Sequence, residues 1–263
     1  MSVIHTNNIT NKDGTSGPTI SGISTVSSTG FMQVPVGDTR TRIVLPNENI
    51  VTDGLVLYLD AGKAESFGGD GTTWRDLSGE NNNGTLANGV GFTEDYGGSL
   101  IFDGVDENAT VGSSVLTTGE TSISMWVKPD SNQTSGLGDL NVGGGGLILY
   151  QVGTIIMMGF RGTPEMRTTT QFITSNVWNH ITWVYNNGSK SSTSSFQIYL
   201  NSEIEPTLTI FGFGIGGGTV FNRIGSDQNG PYFDGNIAQV SIYNKALTAS
   251  EVQQNFNATK SRF

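Results

Sequence analysis

The side chains able to do chemistry in this chain come in small sets. Two pairs of carboxylates lie close together: Glu203 with Glu205 in NSEIEP, and Asp103 with Asp106 in FDGVDE. Two carboxylates held about 5–5.5 Å apart can hydrolyse a glycosidic bond with retention, one as nucleophile and the other as acid, then base. The surrounding residues argue against that use. Glu203 and Glu205 fall in a hairpin turn beside Pro206, and Asp103 and Asp106 straddle Gly104. Both pairs therefore read as solvated turn carboxylates. Histidine offers no more: His5 lies near the N-terminus, and His180, close to Trp178, reads as a strand-end residue. There is no His-Glu-x-x-His and no cysteine, so a zinc site lacks its usual ligands. These residues do not point to an enzyme.

Binding chemistry is better represented. A hard cation such as calcium takes oxygen ligands from carboxylates and backbone carbonyls. Asp60 ends the strand GLVLYLD, and Asp234 enters the strand that continues IAQVSIY. If those strands are neighbours, the two aspartates meet; otherwise each caps a turn. Sugars are held by exposed aromatic rings with Asn, Asp and Gly nearby, since an apolar face with a polar edge suits them. Trp74 in TTWRDLSG, Tyr150 and Tyr232 are the candidate platforms, although Trp74 equally suits a core.

The elements that must position these residues are strands. Glycine makes up 37 of 263 residues, about twice the usual ~7%. Charged residues are only 14%. Such a composition suits short strands joined by many turns. In SISMWVKP, Ile123, Met125 and Val127 alternate with Ser122, Ser124 and Trp126. In WNHITWVYNNG, Ile181, Trp183 and Tyr185 alternate with His180, Thr182 and Val184, and FQIYL places Phe196, Ile198 and Leu200 inward. Apolar runs of period two, bounded by turns, predict an all-β sandwich of two antiparallel sheets. The last strand sets Ala238, Val240 and Ile242 against a polar outer face of Gln239, Ser241 and Tyr243. One short helix follows it. Thr248 and Glu251 form a capping box, Leu247 and Val252 a hydrophobic staple, and Val252 with Phe256 an apolar face. That helix is expected to lie on the sandwich as a lid.

Two glycine-rich stretches, 136–146 and 211–218, lack the Lys-Ser/Thr of a phosphate loop. The net charge of −10 repels nucleic-acid backbones and anionic lipid. No apolar run approaches the ~18 residues of a membrane span. The opening MSVIHTNNITNKDG has no basic start and apolar run, so it does not read as a secretory signal, and folding in a cytosol is expected.

Composition divides the chain near residue 50. Residues 1–50 form an extended arm, and residues 51–263 form the body. The arm's apolar residues, among them Ile9, Ile20, Ile23, Val26, Phe31, Met32 and Val34, are too sparse to close a core. Such a segment is either a disordered tail or an arm that orders on a partner chain or a neighbouring copy, and it reads as the second.

The segments GLVLYLDA, DLSGENNNGTL, GSLIFDGVDENATV, SISMWVKP, WNHITWVYN and YFDGNIAQVSIYNKALTASEV occur in the order found in laminin-G-like, concanavalin A-like lectin/glucanase domains. The resemblance covers about residues 54–258. It implies a jelly-roll sandwich, commonly a glycan binder and sometimes a glycan hydrolase, and often with calcium. The glucanase branch carries a Glu-x-Asp-x-x-Glu strand, which is missing here. The arm's ITNKDGTSGPTISGISTVSSTGFMQVPVGDTRTR resembles N-terminal segments of virion proteins from tailed bacteriophages, notably those of cyanobacteria. Together these resemblances imply a virion surface protein, folded in the host cytoplasm. It would be either a capsid decoration docked on the major capsid protein or a neighbouring virion subunit, or a tail- or head-fibre adhesin for host surface glycans. The arm could also join copies of the chain into a homo-oligomer.

Overall fold

The computed structural model describes residues 32–36, 39–43, 49–112, 119–142, 145–169, 173–211, 222–227 and 230–263. The chain divides into two compact units, Met1–Glu48 and Asn49–Phe263. In the first, Met32–Val36 and Thr39–Ile43 pair as an antiparallel ribbon, Met32 opposite Ile43. Met32 and Val34 lie on its first strand. Ile9, Ile20, Ile23, Val26 and Phe31 lie outside the described residues.

The second unit is a sandwich of two antiparallel sheets. At the middle of one sheet runs the long strand Asp234–Tyr243. Thr121–Pro129 pairs along one side of it, and Asn179–Tyr185 and Phe196–Leu200 continue outward from there. Two shorter strands share its other side: Ser99–Asp103 pairs with its start and Leu55–Asp60 with its end. The other sheet is built around Ser135–Val142, Gly145–Val152 and Ile155–Phe160. It continues through Arg223–Ile224, Asn108–Thr110 and Gly84–Ala87 to Thr73–Trp74.

The core between the sheets follows the period-two pattern. Ile123, Met125, Val127, Ile181, Trp183, Tyr185, Phe196 and Ile198 meet Leu147, Leu149, Ile156, Met158 and Phe160 in one buried cluster. Each such side chain contributes about 1.5–3 kcal/mol when taken fully from water. Leu200 is only half-buried at the edge of this core.

Two expectations need correction. Ala238 does not share a face with Val240 and Ile242. The register shifts between Ile237 and Gln239, and this bulge sends Ala238 to the outer face beside Trp126 and Trp178, while Ile237 takes the core position. The outer face itself is not solvated: Ser122, Ser124, His180, Thr182, Gln239, Ser241 and Tyr243 are all buried. The reason lies at the C-terminus. The helix Ala249–Thr259 opens with the expected capping box. Val252 joins Val51, Val184, Tyr199, Tyr243 and Leu247, and Phe256 and Phe263 pack on Trp126.

Several polar groups below this lid bond to it or to each other. Trp126 Nε1 donates to Thr259 Oγ1 at 2.7 Å, Asn255 Nδ2 donates to Tyr243 Oη at 3.0 Å, and Val51 N donates to Asn255 Oδ1 at 2.8 Å. The Ser124 and Thr182 hydroxyls bond each other at 2.7 Å. A buried donor or acceptor left unmade would cost about 1–3 kcal/mol, so these bonds let a polar strand face be covered.

Candidate functional site

At one end of the sandwich, the strand Ser99–Asp103 finishes where Asp234–Tyr243 begins. In the register of this pair Asp103 stands opposite Asp234, and Phe102 opposite Gly235. Phe102 and Phe233 anchor the two aspartates from below, both buried in the core with ring centroids 6.2 Å apart. Gly104 then turns the chain at φ +76°. A Cβ there would stand 2.9 Å from Asp234 Cβ, so glycine is required both by its conformation and by this close approach.

Both aspartates and Gly104 line an open cleft of about 430 Å³, together with Gln133, Thr134 and Ser135 from one segment and Gly230, Pro231 and Tyr232 from another. The walls are tied together: Gly136 N donates to Pro231 O at 3.0 Å, and Ser226 and Tyr232 form a β-bridge. Tyr232 is half-buried, while Gln133 and Thr134 are exposed. Asp234 Oδ2 accepts hydrogen bonds from Ser131 Oγ at 3.2 Å and Gln133 Nε2 at 3.4 Å, and Asp103 Oδ1 accepts one from Val105 N at 2.9 Å. Beneath, Glu107 Oε2 accepts from Asp103 N at 2.6 Å. Burial raises the Glu107 carboxyl above its ordinary value, that hydrogen bond opposes the rise, and the charges of Asp103 and Asp106 add to it. The cleft thus offers one aromatic ring beside amide, hydroxyl and carboxylate groups. A second cavity of about 340 Å³ is walled by glycines, alanines, Phe67 and Phe92, with Glu94 its one charged side chain. It has almost nothing to orient a polar ligand.

The structure separates the other sequence candidates from this cleft. Trp74 is fully buried in the core, so its ring is not available to stack on a sugar. Tyr150 is 5% exposed and donates its hydroxyl hydrogen to Asp227. Arg161 is held between Asp227 and Asp139, 3.1 Å from the latter. Burial, then the hydrogen bond to Asp227, pushes the Tyr150 hydroxyl well above the usual tyrosine range. Tyr150 is therefore part of a buried polar network and is no more available than Trp74.

Asp60 and Asp234 do not meet. Asp60 stands opposite Gln239, five positions along the strand from Asp234, or about 17 Å at the usual rise. It is 1% exposed and engaged by Arg262 Nη1 at 2.7 Å, Tyr58 Oη at 3.0 Å and Gly62 N at 3.0 Å. This pair does not fit a shared calcium ion. No group of three or more metal-ligating side chains occurs among the described residues. Of the carboxylate pairs, Glu203 is exposed, whereas Glu205 is buried and accepts from Thr169 Oγ1 at 3.1 Å. Asn201 and Ser202, both at positive φ, make the expected hairpin before them. His180 is enclosed between Trp126 and Phe256, with centroids 5.0 and 5.7 Å away.

Tyr232 and Asp234 were therefore reachable from sequence, whereas the partnership of Asp103 with Asp234 was missed. A signal for it existed: the triplet Phe-Asp-Gly occurs at 102–104 and again at 233–235, and those two copies pair.

A model of the concanavalin A-like lectin/glucanases superfamily matches residues 102–253, more than half of the chain. No curated protein matches. Several solved structures share the fold. Domain 4 of AbnA, a GH43 extracellular arabinanase from Geobacillus stearothermophilus solved with arabinotriose, is 18% identical with a TM-score of 0.57, covering 76% of this chain and 97% of that one. The binding domain of Paraclostridial Mosquitocidal Protein 1 is 20% identical, TM-score 0.54, covering 79% and 52%. Trypanosoma rangeli sialidase solved with sialic acid is 17% identical, TM-score 0.54, covering 80% and 33%. The chain thus spans about half of the toxin domain and a third of the sialidase. At these identities the likeness is one of fold.

Proposed function

Because the chain belongs to the concanavalin A-like lectin/glucanases superfamily, we propose that its sandwich is a non-catalytic glycan-binding module whose site is the cleft at Tyr232. One observation carries this reading: a half-buried aromatic ring borders an open, polar cleft beside Asp103, Gln133 and Asp234. A ring that can stack, ringed by a few groups that fix orientation, is the chemistry a sugar needs. Hydrolysis is not part of the proposal. A carboxyl acting as general acid is kept in an apolar pocket, whereas Asp103 is exposed in a polar cleft. The test is a broad glycan panel probed with the full chain and with Tyr232→Ala. Binding that is lost in the variant supports the reading; a panel without binding, or one indifferent to the change, refutes it.

The module's place of work is proposed to be the outside of a virus particle, held there through residues 1–50. This rests on the resemblance of that segment to virion proteins of tailed phages. The ribbon Met32–Val36/Thr39–Ile43 adds physical support, since a two-stranded ribbon is marginal alone and gains main-chain hydrogen bonds by strand addition to a partner. The partner would be the major capsid protein or a neighbouring subunit. Copy number in purified virions, measured by quantitative mass spectrometry, separates the two forms of this role. A ratio near that of the capsid protein means shell decoration, and a far lower one means a fibre adhesin. Absence from virions ends the virion reading.

A further inference from the structure

We propose that the cleft is selective for charge and takes an amine-bearing sugar, an N-deacetylated hexosamine, in preference to neutral or anionic ones. This rests on the reading of the cleft as a glycan site and narrows what that site accepts. Asp103 and Asp234 are directly opposed, and directly opposed residues of antiparallel strands hold their Cβ atoms about 5 Å apart. Like charges at that separation repel, and an ammonium group between them relieves the repulsion while gaining attraction to both. Each aspartate has an oxygen to offer. The bonds from Ser131 and Gln133 fall on Asp234 Oδ2, and the bond from Val105 falls on Asp103 Oδ1.

No lysine, arginine or histidine lines the cleft among the described residues. The lysine closest in the sheet register, Lys128 opposite Asn236, holds its ammonium over the Tyr96 ring, 5.8 Å from the centroid. The described residues therefore supply two negative charges and no counter-charge beside a ring against which a pyranose can stack. A carboxylated sugar would add a third negative charge to the cleft. A hexosamine, with its ammonium next to the ring carbons, presents an apolar face to Tyr232 and a cation to the aspartates.

The experiment is calorimetry with the full chain in about 0.15 M salt, where exposed charges beyond about 8 Å are screened, with a metal chelator present. The probes are a glucosamine tetramer, an N-acetylglucosamine tetramer and sialyllactose. The expected result is binding of the glucosamine tetramer roughly tenfold tighter than its acetylated form, from one added ion-pair contact at a solvated site, and none of sialyllactose. Asp103→Asn and Asp234→Asn should each bring the glucosamine tetramer down to the affinity of the neutral one, with the neutral tetramer little changed. Equal affinity for the two tetramers in the wild type overturns the inference. So does a preference that survives both variants, or that appears only when calcium is restored. Those outcomes leave Tyr232-dependent binding of neutral sugar standing. Failure of every sugar to bind overturns the glycan reading with it.

Discussion

Asp103 and Asp234 face each other across two paired strands, and both line one open cleft. Opposed like charges in a sheet oppose folding. Asp103→Asn should therefore raise stability by about 0.5 kcal/mol in chemical denaturation while weakening binding of a cationic sugar. A drop in stability instead would mean that the pair is held by a structural interaction.

Two aromatic substitutions should behave in opposite ways. Trp74 is fully buried, so Trp74→Ala is expected to cost about 3–5 kcal/mol through the cavity it leaves. Tyr232, half-buried at the cleft, should cost well under that when changed to Ala. Its loss should instead weaken sugar binding roughly tenfold, the scale of an aromatic contact. Urea denaturation and glycan binding, run side by side, separate the two.

His180 should make the fold acid-sensitive. Burial between Trp126 and Phe256 pushes its imidazole down from 6.5 to about 3. Between those values the unfolded chain binds a proton that the native chain does not. The contribution is therefore complete above pH 6.5 and is lost as pH falls towards 3, by up to about 1.4 kcal/mol per pH unit. Denaturation midpoints from pH 7 to 4 should show a shallower slope for His180→Gln than for the wild type. Parallel slopes would mean that His180 is not the group responsible.

The C-terminus is wired into the sandwich by Arg262. Its Nη1 holds the buried Asp60 at 2.7 Å and its Nη2 reaches Gly98 O at 3.1 Å. Arg262→Met leaves a buried carboxylate without its cation. Because the arginine is itself partly exposed, the expected loss is about 2 kcal/mol, below the 3–5 kcal/mol of a fully buried pair. Reversal by the double change Arg262→Met with Asp60→Asn would assign the loss to the stranded charge.

Thr248→Ala should cost about 1 kcal/mol without touching sugar binding. The hydroxyl accepts from Glu251 N at 3.3 Å, and the glutamate accepts from Thr248 N at 2.8 Å. Loss of helical signal together with sugar binding would instead tie the lid to the cleft.

Much of the fold was legible because its signals are local. Alternation in SISMWVKP and HITWVY marks which side chains go inward, and Thr248, Glu251 and Leu247 mark where the helix begins. Ala238 shows the limit: the bulge that turns it outward leaves the sequence looking like regular alternation. The serines and threonines of the outer face show another. They read as solvent-facing because, although the C-terminal helix is expected to lie on the sandwich, nothing nearby in sequence says that this is the face it will cover.

The candidate site was half-legible. Tyr232 and Asp234 lie in one short stretch, and Gly-Pro before them marks a turn whose aromatic neighbour could stay accessible. Tyr150 has the same chemistry, and only its place beside Asp227 and Arg161 removes it from reach. Asp60 ends one strand and Asp234 begins another, as expected, but their register, set by where Leu55–Asp60 docks along the long strand, keeps them apart.

The sequence by itself determined the class of the fold, the faces of most strands and the cap of the one helix, because periodicity and capping act over a few neighbouring residues. Tertiary structure alone decided which aromatic ring meets water, which aspartate stands opposite Asp234, and which face of the sandwich the helix covers. Each of those depends on which distant segments come to pair, and period-two alternation assigns a side chain to a face without saying what will lie against it.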